Sequence, residues 1–159
     1  MDQLNRSKKN NDLSGLDDHS FVIDPSNGTK KWFKDGKLHR DGDLPAIEYS
    51  DGSKHWYKNG LLHRDDDSPA IGKSDGHREW YKNGKRHRDG DLPAKEYVDG
   101  TKCWYKNGKL HRDGGLHAMD FPDGTKMWYK NGQLHRDNNL AAIEYPNGTK
   151  EFWVNGQRQ

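Results

Sequence analysis

The sequence predicts an all-β protein: an elongated antiparallel array of β-hairpins, a single-layer sheet or solenoid, drawing about two strands from each 24-residue unit. Three observations carry this. Trp32, Trp56, Trp80, Trp104 and Trp128 recur every 24 residues, and so do His39, His63, His87, His111 and His135; a fixed period of that size marks a repeat architecture. Each unit holds an Asp-Gly or Asn-Gly pair at two fixed places, such as Asp51-Gly52 and Asn59-Gly60, which are hairpin turn signals. Apolar content is only 29%, yet the chain carries six Trp, seven Tyr and four Phe. Disordered chains are poor in aromatics, and each ring can bury about 150–250 Å². That distribution suits a thin sheet better than a thick aliphatic core.

The elements follow in order. Residues 1–20 read as a polar, flexible N-terminal tail, in which 13–18 is the one stretch with room for a short helix. The repeat domain spans 21–159. It opens with a half copy, where Phe21, Val22 and Ile23 match Pro45, Ala46 and Ile47. Full copies follow at 27–50, 51–74, 75–98, 99–122 and 123–146, and a half copy at 147–159 closes the array. Asp51-Gly52 and its equivalents are read as two-residue type I′ turns joining strand 45–50 to strand 53–58. That register sets Ile47 opposite Trp56 and Tyr49 opposite Lys54. Period two then places Ile47, Tyr49 and Trp56 on one face, and Ala46, Glu48, His55 and Tyr57 on the other. The first face is richer in large apolar groups and is expected to be buried: the five Trp form a ladder flanked by Tyr49, Tyr97, Phe121 and Tyr145. The second face leaves Tyr57, Tyr81, Tyr105 and Tyr129 as a candidate interaction surface. After Asn59-Gly60, residues 61–64 are either a short third strand or part of a loop. An odd strand count would reverse the chain in each successive copy, so two strands and a long ordered loop are expected. No segment carries helical periodicity.

Composition removes several function classes. With 27 basic and 25 acidic residues, net charge +2, there is no strong electrostatic case for nucleic acid or an anionic membrane. Cys103 is the lone cysteine, so no intrachain disulfide forms, which fits a reducing compartment. The N-terminus lacks the apolar stretch of a signal peptide, and no apolar run approaches the roughly 20 residues that span a bilayer. An intracellular location is expected: cytoplasm, or host cytoplasm or virion for a viral protein.

The string Trp56-Tyr57-Lys58-Asn59-Gly60-Leu61-Leu62-His63 resembles the Trp-x-Asn-Gly-x-x-His core of MORN repeats. Tyr145-Pro146-Asn147-Gly148 and Phe121-Pro122-Asp123-Gly124 are similar to the turn that links MORN units. The Trp-Tyr-Lys-Asn-Gly variant looks like divergent forms in bacteria and large DNA viruses of amoebae. The chain departs from the family where Arg replaces the Gly after His, and where Thr-Lys or Ser-Lys opens the first strand. The resemblance implies an elongated antiparallel sheet used as a scaffold, sometimes linked to membranes or phosphoinositides.

The repeated His-Arg-Asp triplet is the main candidate for chemistry: His39-Arg40-Asp41, His63-Arg64-Asp65, His87-Arg88-Asp89, His111-Arg112-Asp113 and His135-Arg136-Asp137. A kinase catalytic loop opens the same way, but no Gly-rich loop or Asp-Phe-Gly accompanies it. Neighbouring His, about 10 Å apart in a two-strand repeat, are too distant to share a zinc with ligands at about 2.0–2.1 Å. The better reading is a polar clasp: Arg pairs bidentately with Asp of its own or the next copy, and His bonds a loop carbonyl. No nucleophile–base pair is visible, and Cys103 stands at a variable position. Neither a catalytic, a metal nor a cofactor site is expected. The expected function is a non-catalytic repeat scaffold for protein–protein interaction or self-assembly, of viral or bacterial origin. The alternatives are a peripheral membrane protein binding anionic lipid through Lys and Arg loops, and a single-stranded nucleic-acid binder.

Overall fold

The computed structural model describes residues 19–159. The tail expected over 1–20 and the short helix over 13–18 therefore lie almost wholly outside the described residues. The first strand, His19–Ile23, already includes His19 and Ser20. All described elements are β-strands, 23 short antiparallel segments. The main sheet takes two strands from each unit, as expected: Ile47–Glu48 and Lys54–His55 in the first pair, then the same two segments in each later copy.

The segment expected to be loop is the first correction. Leu61–Leu62 is a strand, paired with Tyr57–Lys58 in a small hairpin of its own, and each later copy repeats it. Copies two to five thus use four short strands each, and in copy one the first two run on as the single strand Lys30–Lys34. Four is even, so the copies still run in the same direction.

The second correction is the register. Ile47 lies opposite His55 and Glu48 opposite Lys54, one residue away from the expected pairing. The turn chemistry is the cause. Gly52 N–H donates to the Tyr49 carbonyl at 3.0 Å and Tyr49 N–H to the Ser53 carbonyl at 2.9 Å. Gly52 has positive φ (88°) and Asp51 does not. This is a three-residue loop, a type I turn followed by a left-handed Gly. The Asp51 carboxylate holds it by accepting the Ser53 N–H at 2.8 Å. The type I′ turn is found instead at Asn59-Gly60, where both φ angles are positive, 53° and 82°. A slip of one residue moves every side chain to the opposite face. Tyr49, Tyr97 and Tyr145 therefore leave the Trp face, and Tyr97 stays 39% exposed.

The faces divide accordingly. On one, the register places Ala46 between Trp32 and Trp56, with a Trp32 N–H to Ala46 carbonyl bond of 2.8 Å. The pattern continues to Ala142, and Ala46, Ala70, Ala94, Ala118 and Ala142 are all fully buried. A small residue is needed there because an aromatic ring arrives from each side, Trp in every case but Phe152 beside Ala142. Trp80, Trp104 and Trp128 are buried, whereas Trp32 and Trp56 are half-buried. The other face carries one row across the sheet: Lys31, Ile47, His55, Ile71, Glu79, Lys95, Cys103, Met119, Met127, Ile143 and Glu151. The small hairpins lie over this row, as the contacts of Arg86 and Tyr81 with Glu79 show. The opening hairpin differs. Its four-residue turn sets Phe21 opposite Trp32, and the two rings stack at 5.7 Å.

Candidate functional site: the clefts between His-Arg-Asp loops

The triplets line a row of clefts, one between each pair of successive loops. Each is built from both copies. Arg64 lies over the Trp56 ring at 3.9 Å, and Arg88 and Arg112 over Trp80 and Trp104 at 4.0 Å. Stacking on an aromatic face holds the planar guanidinium in place. Its Nε and Nη2 then fork onto the Asp of the preceding copy. Arg64 meets Asp43 at 2.9 and 2.7 Å, Arg88 meets Asp67 at 2.8 and 2.8 Å, and Arg112 meets Asp91 at 2.7 and 2.8 Å. The Arg partner is therefore Asp43, Asp67 or Asp91, not an Asp of the triplet or of the following copy. Hydrogen bonds from the fork hold these three carboxyls below the usual carboxylate range. The Trp indole closes the same corner: Trp56, Trp80, Trp104 and Trp128 donate to the carbonyls of Asp43, Asp67, Asp91 and Gly115 at 2.9–3.0 Å.

The His does not bond a carbonyl. His63 Nε2 lies 2.8 Å from Asp65, and its Nδ1 accepts the Asn83 N–H of the next copy at 3.0 Å. All five triplets repeat this pair of contacts. An acceptor at Nδ1 and a carboxylate at Nε2 select the neutral Nε2–H tautomer. The left-handed turn at Asn83-Gly84 leaves that N–H without a sheet partner, so the His supplies one. Asp65 also takes Lys58 at 3.0 Å. Hydrogen bonds from His63 and then Lys58 lower its pKa; Asp89 and Asp137 are lowered likewise by their His and then their Lys, Asp113 by Lys106 and then His111, and Asp41 by His19, then His39 and Lys34. The triplet is thus a junction between copies, with both His nitrogens and both Asp oxygens occupied by other groups of the chain. No group of three or more His, Cys, Asp or Glu among the described residues is arranged to hold a metal ion.

No protein-family model, curated protein or solved structure matches the chain.

Tyr57, Tyr81, Tyr105 and Tyr129 are half-buried. Tyr81 donates to Glu79 at 2.9 Å, and Arg86 lies 4.6 Å over Tyr105. The exposed apolar groups lie elsewhere. Leu44, Leu92, Leu116 and Leu140, at 47, 42, 44 and 48% exposure, stand on the loops beside the clefts, and copy two has Ser68 at that position. Sequence reasoning missed this ridge, although the 24-residue Leu spacing was visible. It also missed Asp43, Asp67 and Asp91, whose role depends on a contact across 21 residues.

Copy three carries a second polar group on the covered row. Glu79 accepts from Arg86 at 2.6 Å and Tyr81 at 2.9 Å, lies 2.8 Å from His77, and sits 3.4 Å from Lys95. Burial pushes its carboxyl up. The hydrogen bonds from His77 and Arg86 and the Arg86 charge outweigh this, leaving the pKa at about 2. Burial raises the Cys103 thiol to about 11, which keeps it protonated and unreactive near neutral pH.

Proposed function

We propose that this chain is a divergent MORN-type repeat array and a non-catalytic scaffold that binds an extended protein segment along the loop ridge. The observation that carries this is the line of exposed leucines at one position of each unit, interrupted only at Ser68. Regularly spaced apolar side chains rimmed by polar clefts are the usual signature of a recognition surface. In a two-strand repeat successive anchors stand about 10 Å apart, a spacing an extended partner reaches every third residue. The lipid and single-stranded nucleic-acid readings are weaker. The four lysines nearest the clefts are already held by acids of the chain itself: Lys58, Lys82, Lys106 and Lys130 pair with Asp65, Asp89, Asp113 and Asp137. Paired cations release few counterions on meeting a polyanion.

The test is a Leu92→Asp/Leu116→Asp/Leu140→Asp variant, compared with the wild-type chain by affinity capture from the native source and by sedimentation. Partners or self-association present in the wild type and lost in the variant support the ridge. Identical profiles for the two proteins remove it. Flotation with anionic vesicles at low salt, surviving the triple substitution, would favour the lipid reading instead.

A further inference from the structure

We propose that the cleft between copies four and five is a carboxylate-binding site, with Arg136 as its anchor and an aspartate or glutamate side chain of a protein ligand as its occupant. Three cross-copy junctions present Asp43, Asp67 and Asp91 to an Arg fork. At the fourth, the equivalent residue is Gly115. The indole and backbone contacts of the junction are kept. Trp128 donates to the Gly115 carbonyl at 2.9 Å, and Arg136 stacks on Trp128 at 3.7 Å. Its Nη1 donates to the Ala141 carbonyl at 3.1 Å, as Arg64, Arg88 and Arg112 do to the matching carbonyls at 3.3–3.4 Å.

The difference lies at the fork. Among the described residues, Arg136 Nε and Nη2 have no partner, and Nη1 carries the one ion pair, to Glu144 at 2.7 Å. Arg136 lines the cleft together with Trp128, Leu116 and Leu140, which gives a ligand access to its unpartnered fork. The Glu144 contact does not preclude a second carboxylate: Arg88 holds Asp67 while Glu96 lies 3.6 Å from its Nη1. The charges facing the fork from the two loops, Asp113 and Asp137, are already held by Lys106 and Lys130. Asp65 and Asp89 stand in the same relation to the filled junctions.

Three sibling junctions thus show what this fork takes: a carboxylate, met by two parallel N–H donors. Leu116 and Leu140 flank it, 44 and 48% exposed, which suits an acidic residue next to an apolar one. The proposal rests on the loop ridge being the binding face. Its test reads one guanidinium directly and so fails separately from the leucine variants.

The experiment titrates N-acetylaspartate amide into the ¹⁵N-labelled chain and follows the Arg Nε–H resonances. A saturable shift of Arg136, with Arg64, Arg88 and Arg112 unmoved, is expected. Gly115→Asp refills the junction from within. The backbone tolerates it, because Asp91 occupies the equivalent position at φ 55° and a Cβ on Gly115 meets nothing within 4 Å. This variant is expected to abolish the shift while the rest of the spectrum stays folded. Arg136→Lys, which keeps the charge and loses the fork, is expected to remove saturable binding as judged by the Leu116 and Leu140 methyl shifts. An unmoved Arg136, a shift that persists in Gly115→Asp, or a larger response to inorganic phosphate at equal concentration each overturns the assignment.

Discussion

The two faces of the sheet are built on opposite rules. The Trp face repeats indole, alanine and stacked arginine five times, and three of those arginines take a carboxylate from the preceding copy. The covered face uses the same position for Lys31, His55, Glu79, Cys103 and Met127. Constancy follows where each copy must fit the next, because the indole N–H, the His Nδ1 and three of the Arg forks find their partners in another copy. Variation is tolerated on the covered row because each residue there answers mainly to its own small hairpin. The partner across the hairpin varies with it: Glu79 meets Arg86, while Cys103 and Met127 belong to copies that carry Leu110 and Leu134.

This contrast can be broken from either side. The largest effect is expected from Trp104→Ala. It removes a buried indole, its bond to the Asp91 carbonyl and the platform under Arg112, and should cost about 3–5 kcal/mol, read as a lower midpoint in urea unfolding. Next comes the covered row. Arg86→Leu alone takes from the buried Glu79 carboxylate its closest cation and leaves it only His77, Tyr81 and Lys95, at about 3 kcal/mol or less, since breaking a buried pair costs about 3–5 kcal/mol when no partner remains. Glu79→Met together with Arg86→Leu installs the apolar pair that copy five already uses, so the double variant should recover most or all of that loss. A double variant as unstable as the single one would show that the two faces do not differ as described.

Smaller effects sharpen the picture. Asp91→Asn removes the charged half of one fork on a partly exposed surface and should cost about 1 kcal/mol or less; thermal melts of matched samples check it. Smallest is the pH dependence near neutrality. Burial lowers the His55 and His117 pKa values in the folded chain, so the unfolded chain binds more protons below about pH 6.5. Stability should therefore fall as pH drops from 7 towards 5. His117→Pro, restoring the residue found in copies one to three, should flatten part of that slope. The lowered carboxyls of Asp43, Asp67 and Asp91 act in a separate window. Their contribution is present above about pH 4 and lost as pH falls further.

The Gly115 junction is the place where the constant face itself varies. A chain that keeps Trp128, Arg136 and both flanking leucines while dropping one carboxylate leaves a donor pair facing outward. Stability offers a second reading of that locus. Gly115→Asp should raise the melting temperature slightly, and Asp67→Gly should lower it while giving Arg88 the ligand response proposed for Arg136.

Much of the protein was legible in the residues. The 24-residue spacing of Trp and His established repetition, and the Asp-Gly and Asn-Gly pairs established where the chain turns, because these are local properties of backbone sterics. Other features were out of reach. Asp51-Gly52 suits both a two-residue and a three-residue loop, and only the ladder on either side selects between them. That one choice decides whether Trp56 shares a face with Ile47 or with Ala46. Nor could the sequence say which carboxylate Arg64 would take, since Asp65 is adjacent and Asp43 lies 21 residues back. The fork goes to Asp43 because stacking on Trp56 aims the guanidinium across the junction, a direction that exists only once two copies lie side by side.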